Sequence, residues 1–138
     1  MSHIEKGKEK RLIIVAANPW QQRIYLQIPP AGPKPSWCEN VYAALANAIQ
    51  MHQNHESAVI CIMIDTLNRE EMEIFSCLSA LDGLTTVAFS TLELPQKMKQ
   101  AQLLGANFTA PMADLQTILT SCQQVNPQEL DTSEKTNP

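Results

Sequence analysis

The sequence predicts an α/β fold, in which a parallel sheet carries helices on both faces. Two observations lead to this prediction. Several short runs of the chain are apolar throughout, which is typical of strands that are buried on both faces. These runs alternate with stretches whose apolar residues recur every three or four positions, as they do in amphipathic helices. The length of 138 residues, with 44% apolar and 17% charged residues, fits one globular domain with a core of its own.

Four strands are predicted from the apolar runs. The strongest prediction is Ser57–Ile64, whose sequence SAVICIMI indicates a central strand. The others are Leu12–Ala16, Leu84–Ser90 and Asn107–Thr109. The segment 29–35 holds four prolines and is predicted to be a loop. It leaves room for a fifth strand, which would lie at an edge of the sheet because proline has no amide hydrogen to donate.

Five helices are predicted between and after these strands. They cover Pro19–Leu26, Glu39–Gln53, Asn68–Ala80, Pro95–Leu104 and Met112–Cys122. Asn18 is expected to cap the first helix, since asparagine suits the capping position and proline suits the first turn. The second helix is expected to bury one apolar face, formed by Val41, Tyr42, Leu45, Ala48 and Ile49.

The charge and cysteine content argue against several classes of protein. Ten Lys and Arg against fourteen Asp and Glu give a formal charge of −4, which disfavours partners such as nucleic acid and anionic membranes. The apolar runs are too short for a membrane span or a signal peptide, so we expect a cytoplasmic protein. The four cysteines form no CxxC pair and lie near no histidine in sequence, so no metal site or cofactor is predicted.

Functional sites in such folds lie at the edge where the parallel strands end. The residues expected at that edge follow the strands in sequence. They are Ala16, Ala17 and Asn18, then Asp65 and Thr66, Ser90 and Thr91, and Ala110 and Pro111.

The residues at these strand ends resemble those of response-regulator receiver domains, over roughly Arg11 to Cys122. Val15–Pro19 lies where receivers carry a Val, acidic residues and often a Pro, and Asp65 lies where the phosphoacceptor aspartate does. Ser90 lies where a Thr or Ser closes the fourth strand. The stretch 104–111 resembles the family's Gly-Ala and Thr-Lys-Pro signature. The resemblance implies a flavodoxin-like fold and a role in signal transduction.

Departures from the receiver pattern indicate a degenerate receiver, or pseudo-receiver. Ala16 and Ala17 replace the acidic pair that would hold Mg²⁺, and Ala110 replaces the Lys that would neutralise phosphoryl charge. Asp65 and Ser90 remain, and both are expected to act as local caps rather than in chemistry. The sequence therefore predicts no enzymatic activity, no catalytic residue and no metal.

The leading hypothesis is a stand-alone pseudo-receiver that acts in signalling as a phosphorylation-independent protein–protein interaction module. Residues 1–10 would be a flexible lead-in, 11–125 the receiver-like domain and 126–138 a disordered tail. The partner would be a protein that the sequence does not identify.

A homodimer is expected through the predicted helices 95–104 and 112–122. Leu92, Leu94, Met98 and Leu103 are more apolar residues than the inner face of the first of these helices needs. Lys97 and Lys99, on the same helix, are expected to be solvated.

Two alternatives stay open. One is an atypical response regulator that is phosphorylated on Asp65. The other is an anti-sigma-antagonist-like domain in which Ser90 or Ser76 is modified, which a sheet with antiparallel strands would favour.

Overall fold

The structure, a computed structural model, describes residues 10–124. Five strands form one parallel sheet with the order β2–β1–β3–β4–β5. They are β1 (Arg11–Val15), β2 (Pro35–Cys38), β3 (Ala58–Met63), β4 (Leu84–Ser90) and β5 (Phe108–Pro111). The predicted tail 126–138 and the predicted lead-in up to residue 9 lie outside the described residues.

Helices cover both faces of this sheet, which confirms the predicted α/β class. They are α1 (Asn18–Tyr25), α2 (Val41–Gln53), α3 (Arg69–Met72), α4 (Ile74–Ser79), α5 (Pro95–Leu103) and α6 (Leu115–Gln124), the last preceded by a 3₁₀ turn, Met112–Asp114. Helices α1 and α6 pack on one face and α2 to α5 on the other. Among the described residues, no helix has the length and apolar content that crossing a bilayer requires.

Strand β3 lies at the centre of the sheet, as its sequence predicts. All six of its residues are buried, because β1 and β4 flank it and helices cover both of its faces. Ile60 and Ile62 point into the core under α2 to α5, whereas Val59 and Cys61 point into the core under α1 and α6. This alternation explains why the whole run is apolar rather than every second residue.

Strand β2 is the fifth strand, and it lies at an edge. It begins at Pro35, the last of the prolines in the 29–35 segment, and pairs only with β1. The edge position explains how proline is tolerated there. Trp37 from β2 and Trp20 from α1 pack against the same core and are half-buried.

Lys10, the last residue of the predicted lead-in, is buried. Its ammonium group donates a hydrogen bond to the backbone oxygen of Cys122 at 3.0 Å. This bond connects the residue before β1 to the end of α6, so the start and the end of the described chain are held together.

Two local predictions are wrong. The predicted helix Asn68–Ala80 is two short helices, because the amides of Glu73 and Ser76 bond to carbonyls three residues back, at Glu70 and Glu73, and break the regular pattern there. Asn18 does not cap α1. The cap position is Ala17, which has no capping side chain, and Asn18 is the first helical residue.

The buried face of α2 differs from the predicted one. It is formed by Val41, Ala44, Ala48 and Met51. Tyr42 and Ile49 are instead 53% and 40% exposed. The two alanines explain the difference, since small side chains let the helix lie close to the sheet on that stripe.

Candidate functional site

The sequence-predicted site residues lie together at the carboxyl edge of the sheet. The strand register brings their strand ends level. Val15 pairs with Ile62, Met63 with Phe89, and Ser90 with Pro111. Ala16, Asp65, Ser90 and Ala110 therefore follow or close neighbouring strands at the same edge, as parallel strands require.

Among the described residues, the side chain and amide of Thr91 bind the Asp65 carboxylate. The amide of Thr91 donates to both carboxylate oxygens at 3.1 Å, and its hydroxyl donates to Oδ2 at 2.6 Å. Bonds to an ionised carboxylate are stronger than bonds between neutral groups. We call this arrangement the Asp65–Thr91 clamp. It ties the loop after β3 to the loop after β4.

Lys97 adds a positive charge next to the clamp. Its ammonium group donates to the backbone oxygen of Asp65 at 3.2 Å, and the side chain is half-buried. The expectation that Lys97 is solvated is therefore wrong. Lys97 lies in the first turn of α5, which begins near the end of β4, and its long side chain reaches across to the loop that follows β3.

Ser90 makes a local contact. It is buried, and its hydroxyl donates to the backbone oxygen of Leu92 at 2.5 Å, within the turn that leads to α5. The Ser90 hydroxyl thus bonds within the loop that Ser90 itself begins. Ser90 and Thr91 together hold the start of that loop, one to the next turn and the other to Asp65.

The alanines of the site provide no side-chain ligand. Ala16 and Ala110 are buried, while Ala17 and Pro111 are exposed. The backbone oxygen of Ala16 accepts a hydrogen bond from the Gln21 amide at 3.0 Å. Methyl groups cannot bind a cation, so among these strand-end positions the carboxylate comes from Asp65, and Thr91 already donates to it.

These donors do not fit the Mg²⁺ that receiver chemistry uses. Magnesium is usually held through one or two carboxylates in near-octahedral oxygen geometry. Between residues 10 and 124, no three His, Cys, Asp or Glu side chains are grouped so that they could hold a metal ion.

Sequence reasoning found Asp65 but missed its partners. The sequence predicts Thr91 at this edge as a local cap or strand-end hydroxyl, not as a partner of Asp65, and it predicts a solvated Lys97. Both contacts depend on the path of the loop between β4 and α5. This path brings Thr91 and Lys97 to Asp65, although they lie 26 and 32 positions after it in the chain. The one sequence signal for the second contact is the position of Lys97 in the first turn of α5, the helix that follows β4.

Comparison with protein-family models and with curated proteins finds no match. Comparison with solved structures finds several matches. A response regulator from Burkholderia pseudomallei, solved with a phosphorylated aspartic acid, is 16% identical, with a TM-score of 0.64, and the match covers 94% of this chain and 76% of that one. A CheY-like receiver domain protein from Methanospirillum hungatei is 15% identical, with a TM-score of 0.57 and coverage of 93% and 92%.

A third match is a two-component response regulator of the LuxR family from Aurantimonas. It is 14% identical, with a TM-score of 0.58, and the match covers 94% of this chain and 99% of that one. The fold is that of a response-regulator receiver domain. The identities are low, so the likeness concerns the receiver fold and not an activity. Within that fold, Asp65 follows β3, Ala16 and Ala17 follow β1, and Ala110 lies in β5, at the strand ends where the sequence resemblance predicts the site.

Proposed function

We propose that this chain is a pseudo-receiver that acts in signalling by binding another protein, without being phosphorylated. The observation that carries the proposal is the Asp65–Thr91 clamp, which lies at the same edge of the sheet as Ala16, Ala17 and Ala110. Both carboxylate oxygens of Asp65 accept hydrogen bonds, and within residues 10–124 no three His, Cys, Asp or Glu side chains are grouped to hold a metal ion. Phosphoryl transfer depends on stabilising charge at the transferred group, and the side chains of Ala16, Ala17 and Ala110 supply none.

The surface that we propose for binding is formed by α5, β5 and α6, and we call it the α5 face. Its exposed apolar side chains are Leu103, which is 78% exposed, and Phe108, which is 39% exposed. Residues 94–124 carry only three charged side chains, Lys97, Lys99 and Asp114. Low charge and exposed large apolar groups are typical of the centre of a protein interface.

A second copy of the chain is the partner that we propose for this face. Two copies related by a two-fold axis would bring identical patches together, and the low charge keeps their repulsion small. Met98 is less suited to the contact than Leu103, since Met98 is half-buried and packs against the core.

One alternative has a specific observation in its favour. The Lys97 ammonium group lies beside Asp65 and could offset negative charge there, which would suit an atypical response regulator phosphorylated on Asp65. The structurally similar response regulator from Burkholderia pseudomallei carries a phosphorylated aspartic acid. The anti-sigma-antagonist alternative loses its support, because all strand pairs among the described residues are parallel.

Intact mass after incubation with acetyl phosphate tests the proposal. We expect no added phosphoryl group, with or without Mg²⁺, in the native chain and equally in an Asp65→Asn variant. A mass increase of one phosphoryl group that disappears in Asp65→Asn would contradict the proposal and favour the alternative. Loss of that increase in Lys97→Met would identify Lys97 as the group that replaces the missing lysine.

A further inference from the structure

Helix α2 carries a second apolar stripe besides its buried face. Tyr42, Leu45 and Ile49 follow one another at three- and four-residue spacing, so they lie along one side of the helix. Tyr42 and Ile49 are exposed, and Leu45 is half-buried against the core. We call these three residues the α2 stripe. Adjacent exposed apolar side chains mark interaction sites more often than isolated ones do.

The α2 stripe lies on the side of α2 that turns toward α3 and α4, and we call the surface between these helices the groove. The position of each end of the helix shows this. At the amino end, the carboxylates of Glu70 and Glu71 on α3 lie close enough to Tyr42 to act on its charge. At the carboxyl end, Nδ1 of His52 lies 3.4 Å from the backbone oxygen of Asp82, just after α4.

The rim of this groove is negatively charged. The stretch 69–82, which holds α3, α4 and the turn after them, carries four Asp or Glu against one Arg and no Lys. Glu70, Glu73 and Asp82 are exposed on the α3 and α4 side. Partial removal from water raises the pKa of Tyr42, and the charges of Glu70 and Glu71 raise it further.

We propose that the α2 stripe binds a basic amphipathic segment of a partner protein, with its apolar side chains on Tyr42 and Ile49 and its Lys or Arg residues against the acidic rim. Charge complementarity selects this partner over a second copy, since the groove is acidic and would repel itself. The inference goes beyond the proposed function. The α5 face lies across α4 from the stripe, because Ser76 on α4 donates to the oxygen of Leu104 just after α5.

Cys77 offers a direct probe of the groove. Ser79 on α4 lies against Gly105, which follows α5, so Cys77, two residues earlier, lies on the other side of α4, toward α2. Of the four cysteines only Cys77 is exposed. Burial raises the pKa of the Cys38, Cys61 and Cys122 thiols and keeps them unreactive.

The test uses the full chain labelled on Cys77 with an environment-sensitive dye. The probe ligand is a synthetic helical peptide with Leu on one face and Lys on the other, and the matched control replaces each Lys by Glu. We expect a saturable signal with the Lys peptide that weakens as salt is added, and affinity for the Glu peptide at least about tenfold lower. Calorimetry on the unlabelled chain should likewise give a higher affinity for the Lys peptide than for the Glu peptide.

Two variants separate the groove from the α5 face. Ile49→Asp should weaken binding of the Lys peptide by about tenfold or more, whereas Leu103→Asp, at an exposed leucine of the α5 face, should leave it unchanged. The double variant Glu70→Gln, Glu73→Gln should reduce the salt dependence of Lys-peptide binding. Glu71 is left intact because its side chain caps α3. The inference would be overturned if the Lys peptide did not bind, or if both peptides bound equally well. It would also be overturned if Ile49→Asp and Leu103→Asp lost the same affinity for the Lys peptide. None of these outcomes bears on phosphorylation or on dimer formation.

Discussion

Thr91 and Lys97 determine what Asp65 contributes to this molecule. A carboxylate at the end of a buried strand could accept a phosphoryl group, hold a cation or fix a loop. Here both of its oxygens accept hydrogen bonds from Thr91, and its backbone oxygen accepts one from Lys97. The charge is therefore used to fasten the loop between β4 and α5. The site residues were predictable at this scale, but their partners were not, since the sequence does not give the path of that loop.

The clamp predicts a measurable loss of stability in Thr91→Val. This variant removes the hydroxyl that donates to Asp65 Oδ2 at 2.6 Å and leaves a charged acceptor one bond short. Because the pair is half-buried, we expect about 1–2 kcal/mol lower free energy of unfolding in urea denaturation. Thr66→Val, at an exposed threonine of the same edge, is the matched control and should change stability by less than about 0.5 kcal/mol. Equal effects in the two variants would mean that the hydroxyl bond of the clamp contributes no net stability.

The corner formed by Ala16, Ala17, Asp65 and Ala110 is predicted not to bind Mg²⁺. One carboxylate that is already hydrogen-bonded does not replace the ligand set of a hard cation. Calorimetric titration with millimolar Mg²⁺ should give no saturable heat. Saturable binding that is lost in Asp65→Asn would refute this prediction.

At the scale of elements, hydrophobic pattern predicted the order of strands and helices but not their details. Strand β3 was predictable because burial on both faces makes the whole run apolar. The break between α3 and α4 was not, since the apolar spacing continues through Glu73 while the backbone changes its hydrogen bonds. In α2 the pattern predicted a helix correctly and then included Tyr42 and Ile49 in the wrong face, because two apolar stripes share that helix.

Gly105, which ends α5, is predicted to tolerate no side chain. Its φ of +121° is rare for other residues, and a Cβ there would lie 2.7 Å from Ser79 Oγ on α4. We expect Gly105→Ala to lower the free energy of unfolding by roughly 2 kcal/mol or more, measured by urea denaturation. Gly32→Ala is the control. Its Cβ would meet only the Pro29 oxygen at 3.5 Å, so it should remain within about 0.5 kcal/mol of the native chain.

Over the whole molecule, charge and exposed apolar surface are distributed unevenly. The α2 side of the molecule is acidic, whereas the α5 face is almost uncharged and exposes Leu103 and Phe108. In the proposed function, the α5 face is available to a partner at all times. Under that proposal, the chain would respond to the concentration of its partner rather than to phosphorylation.

Self-association is predicted to depend on Leu103. The side chain is 78% exposed on α5, so its replacement by Glu should not disturb the core, but it would place a desolvated charge in each half of a two-fold interface. We expect light scattering of the native chain at micromolar concentration to give twice the chain mass of 15.4 kDa, and Leu103→Glu to give the chain mass itself. Leu26→Glu is the matched control, because Leu26 is 75% exposed just after α1, which packs on the other face of the sheet, and this variant should stay dimeric. A native mass near 15.4 kDa across a wide concentration range would exclude the dimer, and equal loss of the dimer in both variants would exclude the α5 face as its interface.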